Sequence, residues 1–164
     1  MIHNDANDWN VLVDPDTEAI AGLIDIGDAV FAPTVTEVAV AAAYAMLGQA
    51  DPAAACASVV AGYHEVLPLT TGERALVPDL VAARLAISVT ISAARQATSD
   101  DSYLFVSEAP AWDLLAWLAS PDGARLGDTI ERACAGADAG AATLPPRLDD
   151  ATLASLLAAT GAQT

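Results

Sequence analysis

Two short β-like runs lie near the start of this sequence, and everything that follows them has the pattern of helices. The runs are residues 10–14 (NVLVD) and residues 19–26 (AIAGLIDI), and residues 15–18 (PDTE) separate them. Pro, Asp and Thr favour turns, so the sequence predicts a short antiparallel hairpin over about 10–26. We therefore predict a mostly helical α+β fold, with one hairpin followed by a bundle of about five helices.

Capping and stop signals predict where these helices begin and end. Thr34 or Thr36 is placed to cap a first helix, which Gly48 ends. Asp51 followed by Pro52 is the usual start of a helix, because Asp caps the end and Pro suits the first helical position. Further helices are expected from Pro78 to about Ala97, from Ser107 onwards, and from Ser120-Pro121-Asp122 to about Gly136.

The charge balance excludes one class of partner. The chain has 164 residues, enough for one domain with a core, and it contains 22 Asp and Glu against six Arg and no Lys. A formal net charge of −16 repels phosphate backbones, so we expect no nucleic-acid partner. The same charge would attract a cationic small molecule to an acidic cleft.

The sequence shows no membrane or export signal. Its best apolar run, Val38 to Leu47, is ten residues long and too short to span a bilayer. No basic leader with an apolar stretch stands at the N-terminus. Cys56 and Cys134 lie in Ala-rich helical segments and are expected to be small buried residues, not a disulfide framework. We therefore expect a cytoplasmic protein that has no membrane partner.

The polar stretch HNDANDWNVLVD, which begins at His3, has the spacing of a site. His3 and Asp5 form H-x-D, Asn10 follows five residues after Asp5, and the second β-like run ends in D-x-G at residues 25–27. The full pattern is H-x-D-x-x-x-x-N, a hairpin and then D-x-G. This order resembles the catalytic loop and the metal-binding turn of the kinase-like fold.

Phosphoryl transfer needs these residue types in this order. The acceptor hydroxyl must be held in line and must lose its proton, and Asp5 is placed to do both. Magnesium prefers hard oxygen ligands, so Asp25 and the side-chain oxygen of Asn10 are the candidate metal ligands. Gly27 is expected to let the backbone turn sharply after the metal ligand. His3 is expected to brace the loop by hydrogen bonds.

Both motifs resemble one branch of the kinase-like proteins in detail. HNDANDWNVLVD together with GLIDIGDAVFAP is similar to the aminoglycoside phosphotransferase and choline kinase superfamily. The nearest resemblance is to hydroxylysine kinase-like phosphotransferases, including those fused to a class III aminotransferase. That group has Phe where this chain has Ile26, a mild departure. The segment YLFVSEAPAW, residues 103–112, resembles a late helix of that group's C-terminal lobe.

The resemblance implies the C-terminal lobe of a protein-kinase-like fold and a magnesium-dependent phosphotransferase that uses ATP or GTP. It implies that Asp5 is the base and that Asn10 and Asp25 bind the metal. Asp28 would support the catalytic loop, although a plain turn or cap role is equally open. Asp8 is a weak candidate for the acceptor pocket, with a solvated loop residue as the alternative. The implied acceptor is an amine-bearing alcohol of the aminoglycoside, choline, ethanolamine or hydroxylysine kind.

Four other side chains have both a structural and a functional interpretation. Trp9 is expected to pack beneath the loop. Tyr103 and Trp112 could line a pocket for an amine, but core packing is the favoured interpretation. His64 has no second His or Cys at ligand spacing, so we expect a surface or partly buried histidine and not a metal ligand.

A kinase-like enzyme needs a second lobe, with a glycine-rich loop and a lysine that pairs with the phosphates. This sequence has no Lys and no G-x-G, and it begins two residues before the motif. We therefore expect residues 1–135 to form a C-terminal catalytic lobe without its N-lobe. Residues 136–164 would be a linker and tail, which could be the start of a connection to a further domain.

Two function classes remain open at this point. The first is the catalytic lobe of a small-molecule phosphotransferase. The second is a catalytically silent helical module that binds a partner chain through the surface that an N-lobe would cover. The same surface would also allow self-association of the chain, because exposed apolar patches favour association.

Overall fold

The computed structural model describes residues 1–96 and 108–137. In chain order the elements are β1 (Val11–Val13), β2 (Ile20–Leu23), α1 (Thr34–Met46), α2 (Pro52–Val66), α3 (Thr71–Gln96), α4 (Glu108–Leu118) and α5 (Leu126–Ala137). Short 3₁₀ turns lie at residues 26–28 and 123–125. The fold is thus mostly helical with one small sheet, as the sequence predicted.

The hairpin forms where the turn residues predicted it. β1 pairs antiparallel with β2, and Val11 lies opposite Leu23. The turn is closed by Asp14, whose Oδ1 accepts hydrogen bonds from the backbone N–H groups of Asp16 (3.0 Å) and Thr17 (2.8 Å). These bonds favour the ionised carboxylate, the one from the Thr17 backbone most, and they lower the pKa of Asp14. Local side-chain chemistry therefore determines the turn.

The core lies between the helices and not under the hairpin. α1 packs against α2 and α3, and α2 packs against α5. The largest fully buried side chains are Met46, Leu126, Ile130, Val38, Val60, Val77, Val81, Cys56 and Cys134. Both cysteines are buried and neither is in a disulfide, as predicted, and burial raises the pKa of Cys56 to about 12. The two thiols are therefore small core residues in this fold.

Two predicted helix starts were wrong. α3 begins at Thr71 and contains Pro78 in its interior. The signal that decides this is a capping box, in which the Thr70 Oγ1 accepts from the Glu73 N–H (3.2 Å) and Glu73 Oε2 accepts from the Thr70 N–H (2.7 Å). α5 begins at Leu126 and not at residues 120–122, because residues 123–125 before it form a 3₁₀ turn.

α3 corrects the expectation that no segment is long and apolar enough to span a membrane. By length and composition, residues Thr71–Ala94 of α3 could cross a membrane. In this structure 22% of the most apolar 18-residue stretch of that segment is buried. Charged residues interrupt this segment at positions 73, 74, 79 and 84, so it contains no long uninterrupted apolar run. Arg74 and Arg84 of the same helix form ion pairs with Glu131 and Asp5, as a helix packed within a domain does.

The hairpin region exposes large apolar side chains, and we expect the 164-residue chain to self-associate through them. Ile20, Ile26 and Phe31 are 75%, 72% and 92% exposed. Each large apolar side chain that becomes buried contributes roughly 1.5–3 kcal/mol. Replacing Ile20 by Thr and Phe31 by Ser should therefore raise the dissociation constant, measured by sedimentation, about tenfold or more. Leu76→Ser, at a half-exposed position on α3, is the control; a monodisperse wild-type monomer would contradict the prediction.

Candidate active site

Two backbone contacts hold the predicted catalytic loop beside the predicted metal turn. At one end Ile2 and Val30 exchange backbone hydrogen bonds, with N···O distances of 2.9 and 3.1 Å. At the other end the Ile24 N–H donates to the Asn10 carbonyl at 3.0 Å. Residues 3–9 therefore lie between two fixed points. The hairpin, which returns the chain to its start, is what brings the two motifs together.

Hydrogen-bond donors reach Asp5 from both sides of its carboxylate. Oδ2 accepts from the side-chain amides of Asn7 (3.0 Å) and Asn10 (3.1 Å). Oδ1 accepts from Nη2 of Arg84, which also forms an ion pair with it. The Asp5 side chain is 21% exposed, so it is mostly shielded but still reachable from solvent. This is a carboxylate with a fixed orientation beside an open surface.

The contacts of Asn10 determine which of its side-chain atoms is left for a ligand. Its Nδ2 donates to the backbone oxygen of Asp5 (2.8 Å) and to Asp5 Oδ2, so both amide hydrogens are used within the loop. Within residues 1–96 and 108–137, Oδ1 of Asn10 accepts no hydrogen bond. Asn10 is nearly buried, and its remaining polar atom is a neutral oxygen, which is a ligand that magnesium accepts.

The sharp turn at the predicted metal site is made by Asp25 itself. Asp25 lies in the left-handed region, with φ 59° and ψ 59°, and the 3₁₀ turn at 26–28 follows it. The prediction that Gly27 provides the turn was wrong, because Gly27 does not have a positive φ. Asp and Asn tolerate this conformation better than most residues. An unusual backbone conformation at an exposed carboxylate is a common feature of functional turns.

His3 connects the two motifs through both ring nitrogens. Nε2 lies 2.8 Å from the carbonyl oxygen of Ile24, the residue before Asp25. Nδ1 accepts a hydrogen bond from the Asp5 N–H at 3.4 Å. A carbonyl can only accept, so Nε2 bears the proton in the neutral ring. These are the contacts of a bracing residue; the bracing role itself stays a prediction.

The two remaining acidic candidates are exposed. Asp8 lines an open groove between the loop, the hairpin and α1. The side chain of Asp28 forms no hydrogen bond or ion pair with any residue in the described ranges, so the structure shows no side-chain contact through which it would support the loop. The backbone of the loop is instead held by Glu37 of α1, whose Oε2 accepts from the Asn4 N–H at 2.8 Å.

Two tryptophans that were expected to pack in the protein are exposed, and His64 is buried. Trp9 is 75% exposed and does not pack beneath the loop. Trp112 is 57% exposed, against the favoured core interpretation, and Tyr103 lies outside the described residues. His64 is buried, and not at the surface or partly buried as expected. Its Nδ1 accepts a hydrogen bond from the Leu69 N–H at 2.8 Å, in the loop after α2.

Sequence reasoning missed the residue that reaches the site from the helical bundle. Arg84 lies on α3, 79 positions from Asp5. Its Nη2 also donates to the Tyr44 hydroxyl at 3.0 Å, and its guanidinium lies over the Tyr44 ring, 5.3 Å from the centroid. The one available signal was compositional, since each of only six arginines in so acidic a chain is a candidate for pairing with a carboxylate.

Comparisons with known proteins find a family that matches the part of the chain containing this site, and relatives that match most of the chain. The sequence model of the Phosphotransferase enzyme family matches residues 1–78, the part that contains the loop, the hairpin and the turn. The chain is 30% identical to hydroxylysine kinase of Mus musculus over 125 residues, which is 71% of this chain and 33% of that protein. The hydroxylysine kinases of Xenopus laevis and Bos taurus are 28% and 29% identical over 71% and 67% of this chain, and over 34% and 32% of their own lengths. No solved structure gives a significant match.

The chain therefore belongs to the phosphotransferase enzyme family, the superfamily of aminoglycoside phosphotransferases and choline kinases. Among the curated proteins of that superfamily it is similar to vertebrate hydroxylysine kinases. It spans about a third of the length of these relatives. The family predicted from the two motifs is thus confirmed.

Proposed function

We propose that this chain forms the C-terminal catalytic lobe of a small-molecule phosphotransferase, which moves the γ-phosphate of ATP or GTP to a hydroxyl of an amine-bearing metabolite. The observation that supports this best is the single hydrogen-bonded unit that Asp5, Asn10 and His3 form with the residue before Asp25. Hydroxylysine is the first acceptor to test, because the relatives are hydroxylysine kinases.

In this function Asp5 orients the acceptor hydroxyl and accepts its proton. The donors on Oδ2 hold the carboxylate in one orientation, which lowers the entropy cost of placing the hydroxyl in line with the phosphate. His3 keeps Asp5 at a constant distance from the turn that contains Asp25. Proton transfer and phosphate binding would then take place on adjacent segments of one small unit.

The residues present fit a magnesium ion held together with a nucleotide. Asn10 Oδ1 and the Asp25 carboxylate are hard oxygens with no hydrogen bond in the described ranges, and they would be the protein ligands. No cluster of three or more His, Cys, Asp or Glu that could hold a metal occurs in residues 1–96 and 108–137. Two protein ligands suit magnesium, which usually retains waters and takes substrate phosphates. When bound, the ion would neutralise charge on those phosphates.

An acceptor screen tests the proposal. The 164-residue chain would be assayed alone and as a chimera, in which it replaces the matched segment of mouse hydroxylysine kinase. Hydroxylysine, ethanolamine, choline and an aminoglycoside would each be incubated with ATP or GTP and magnesium, and phosphorylated product would be measured by mass spectrometry. Phosphorylation of one of these alcohols is the expected result. A folded chimera that phosphorylates none of them would overturn the proposal.

Replacing Asp25 by Asn should separate the metal function from proton transfer. Asn tolerates the left-handed conformation, so the substitution removes a charge without straining the turn. Replacing a charged metal ligand by a neutral one should weaken magnesium-nucleotide binding about tenfold or more, and added magnesium should restore part of the loss. Equilibrium titration with nucleotide at several magnesium concentrations measures this. Asp16→Asn, at an exposed position in the hairpin turn, removes an equal charge and should change little; equal losses in both variants would count against Asp25 as a ligand.

A second candidate function is supported by the exposed hairpin. A two-stranded hairpin is marginally stable alone and usually packs against another element, but Ile20, Ile26 and Phe31 are exposed here. A catalytically silent module that binds a partner chain on this surface would explain that exposure. The acceptor screen distinguishes the two candidates, because the silent module would bind its partner without phosphorylating any alcohol.

A further inference from the structure

We infer that Arg84 is a positioning residue for Asp5, and that it directs the acceptor hydroxyl to one carboxylate oxygen, Oδ1. The inference rests on the proposed function and names how the base is held within it. It follows from which positions on the carboxylate are already occupied, from the rigidity of the Arg84 side chain, and from the place of this ion pair between the loop and the helical bundle.

Three hydrogen-bond donors already occupy positions on the Asp5 carboxylate. A carboxylate offers about four acceptor positions, two on each oxygen. On Oδ2 both are used, by the side-chain amides of Asn7 and Asn10. On Oδ1 the Arg84 guanidinium uses one, and no other donor in the described ranges reaches it. The position that remains for an acceptor hydroxyl is therefore on Oδ1, beside the guanidinium.

In the proposed reaction Asp5 Oδ1 accepts the proton of the acceptor hydroxyl while the phosphoryl group is transferred. The acceptor O–H bond breaks as its oxygen bonds to the phosphorus, and the proton goes to Asp5 Oδ1. The bond between the phosphorus and the bridging oxygen breaks, and its electron pair leaves with the nucleoside diphosphate. The Arg84 guanidinium takes no part in the proton transfer and contributes its charge and one hydrogen bond to Oδ1.

Arg84 has little freedom to move. Its side chain is 22% exposed, and Nη2 is held by both Asp5 and the Tyr44 hydroxyl. The Tyr44 ring supports the guanidinium plane from below at 5.3 Å. Nε is buried and has no hydrogen-bond partner in the part of the chain that the structure describes. Since a mostly buried charge is costly without a partner, Arg84 and Asp5 hold each other in place.

The ion pair also has a distinct place in the fold. Arg74, ten residues earlier on the same helix, pairs with Glu131 and so joins two helices of the bundle. Arg84 instead joins the bundle to the loop that contains the predicted base. Loss of the Arg74 ion pair would lower the stability of the helical bundle. Loss of the Arg84 ion pair would leave Oδ1 of Asp5 without its hydrogen-bond donor. The two arginines therefore form a matched pair for an experiment.

The test uses steady-state kinetics on whichever protein is active in the acceptor screen. Arg84→Met removes the charge and keeps the length of the side chain, so kcat should fall about tenfold to a hundredfold while KM for the nucleotide stays unchanged. Arg84→Lys should recover part of the loss. Arg74→Met should lower the melting temperature but leave kcat near the wild-type value. If Arg84→Met unfolds at the assay temperature, Arg84→Lys supplies the kcat and KM comparison.

A double variant shows whether Arg84 acts through Asp5. In an Asp5→Asn background, Arg84→Met should lower kcat no further, since the carboxylate that it positions is already gone. A further tenfold loss in that background, or an unchanged kcat in Arg84→Met alone, would overturn the inference. Absence of any activity in the wild type would instead overturn the proposed function, so the two failures are distinguishable.

Discussion

Replacement of Asp5 by Asn is expected to lower the turnover of the active enzyme about a hundredfold or more and to leave nucleotide affinity almost unchanged. Loss of a general base commonly reduces the rate by a factor of this size. Asp5 has no hydrogen bond to Asp25, and it contacts the other predicted metal ligand, Asn10, only through Nδ2. That Nδ2 also donates to the backbone oxygen of residue 5, which the substitution keeps, so Asn10 stays in place. Steady-state kinetics together with an equilibrium titration of nucleotide would measure both quantities.

The structure adds a second consequence of this substitution. Donors face both oxygens of the carboxylate, so the NH₂ group of an Asn at position 5 meets a donor in either orientation. A buried donor left without an acceptor costs roughly 1–3 kcal/mol, and the melting temperature should fall accordingly. Asp16→Asn, at an exposed position in the hairpin turn, is the matched control. Full turnover in Asp5→Asn would mean that Asp5 is a turn residue and that the loop is not a phosphotransferase loop.

Replacement of Gly123 by Ala is expected to destabilise the fold by about 3 kcal/mol, at the upper end of the range for overpacking. A Cβ at this position would overlap the Trp117 carbonyl oxygen and would lie 2.5 Å from the Cα and oxygen of Leu118. All three are backbone atoms at the end of α4, so no side-chain rotation relieves the contact. For a chain of this size the midpoint of thermal unfolding should fall by roughly 6–12 °C.

Gly62→Ala is the control, and it should raise the midpoint of thermal unfolding where Gly123→Ala lowers it. Gly62 lies in the interior of α2, and a Cβ there would meet nothing within 4 Å. Ala is a better helix former than Gly by roughly 1 kcal/mol, so this variant should be slightly stabilised. If Gly123→Ala were as stable as the wild type, the close approach of the 123–125 turn to the end of α4 would not exist in solution.

Local chemistry explains which elements were predictable. The hairpin followed from residues 15–18, and in the structure Asp14 and Thr17 close its turn through contacts three positions apart. The start of α2 followed from Asp51, whose Oδ1 accepts from the Ala54 N–H at 3.0 Å. The start of α3 was equally local, but Pro78 was weighted above the capping box of Thr70 and Glu73. That error was one of interpretation, since the signal stood in the sequence.

The catalytic-loop spacing belongs to the same class of local information. Asp5, Asn7 and Asn10 bond to one another within five positions, so the motif itself largely determines their mutual geometry. The sequence by itself thus determined the family, the mostly helical class, the hairpin and the set of polar groups at the loop. The roles assigned to those groups stay predictions until the variants are measured.

Only the tertiary structure decided what surrounds that loop. Arg84 meets Asp5 across 79 positions, and Glu37 meets the Asn4 N–H across 33, because α1 and α3 pack so that both side chains reach the loop. The sharp turn falls on Asp25, because the ladder and the bridge between Ile2 and Val30 fix the chain on either side of it. Such contacts have no short-range pattern, since their energy depends on where helices distant in sequence pack together. That packing turns a recognisable motif into a carboxylate held from both sides.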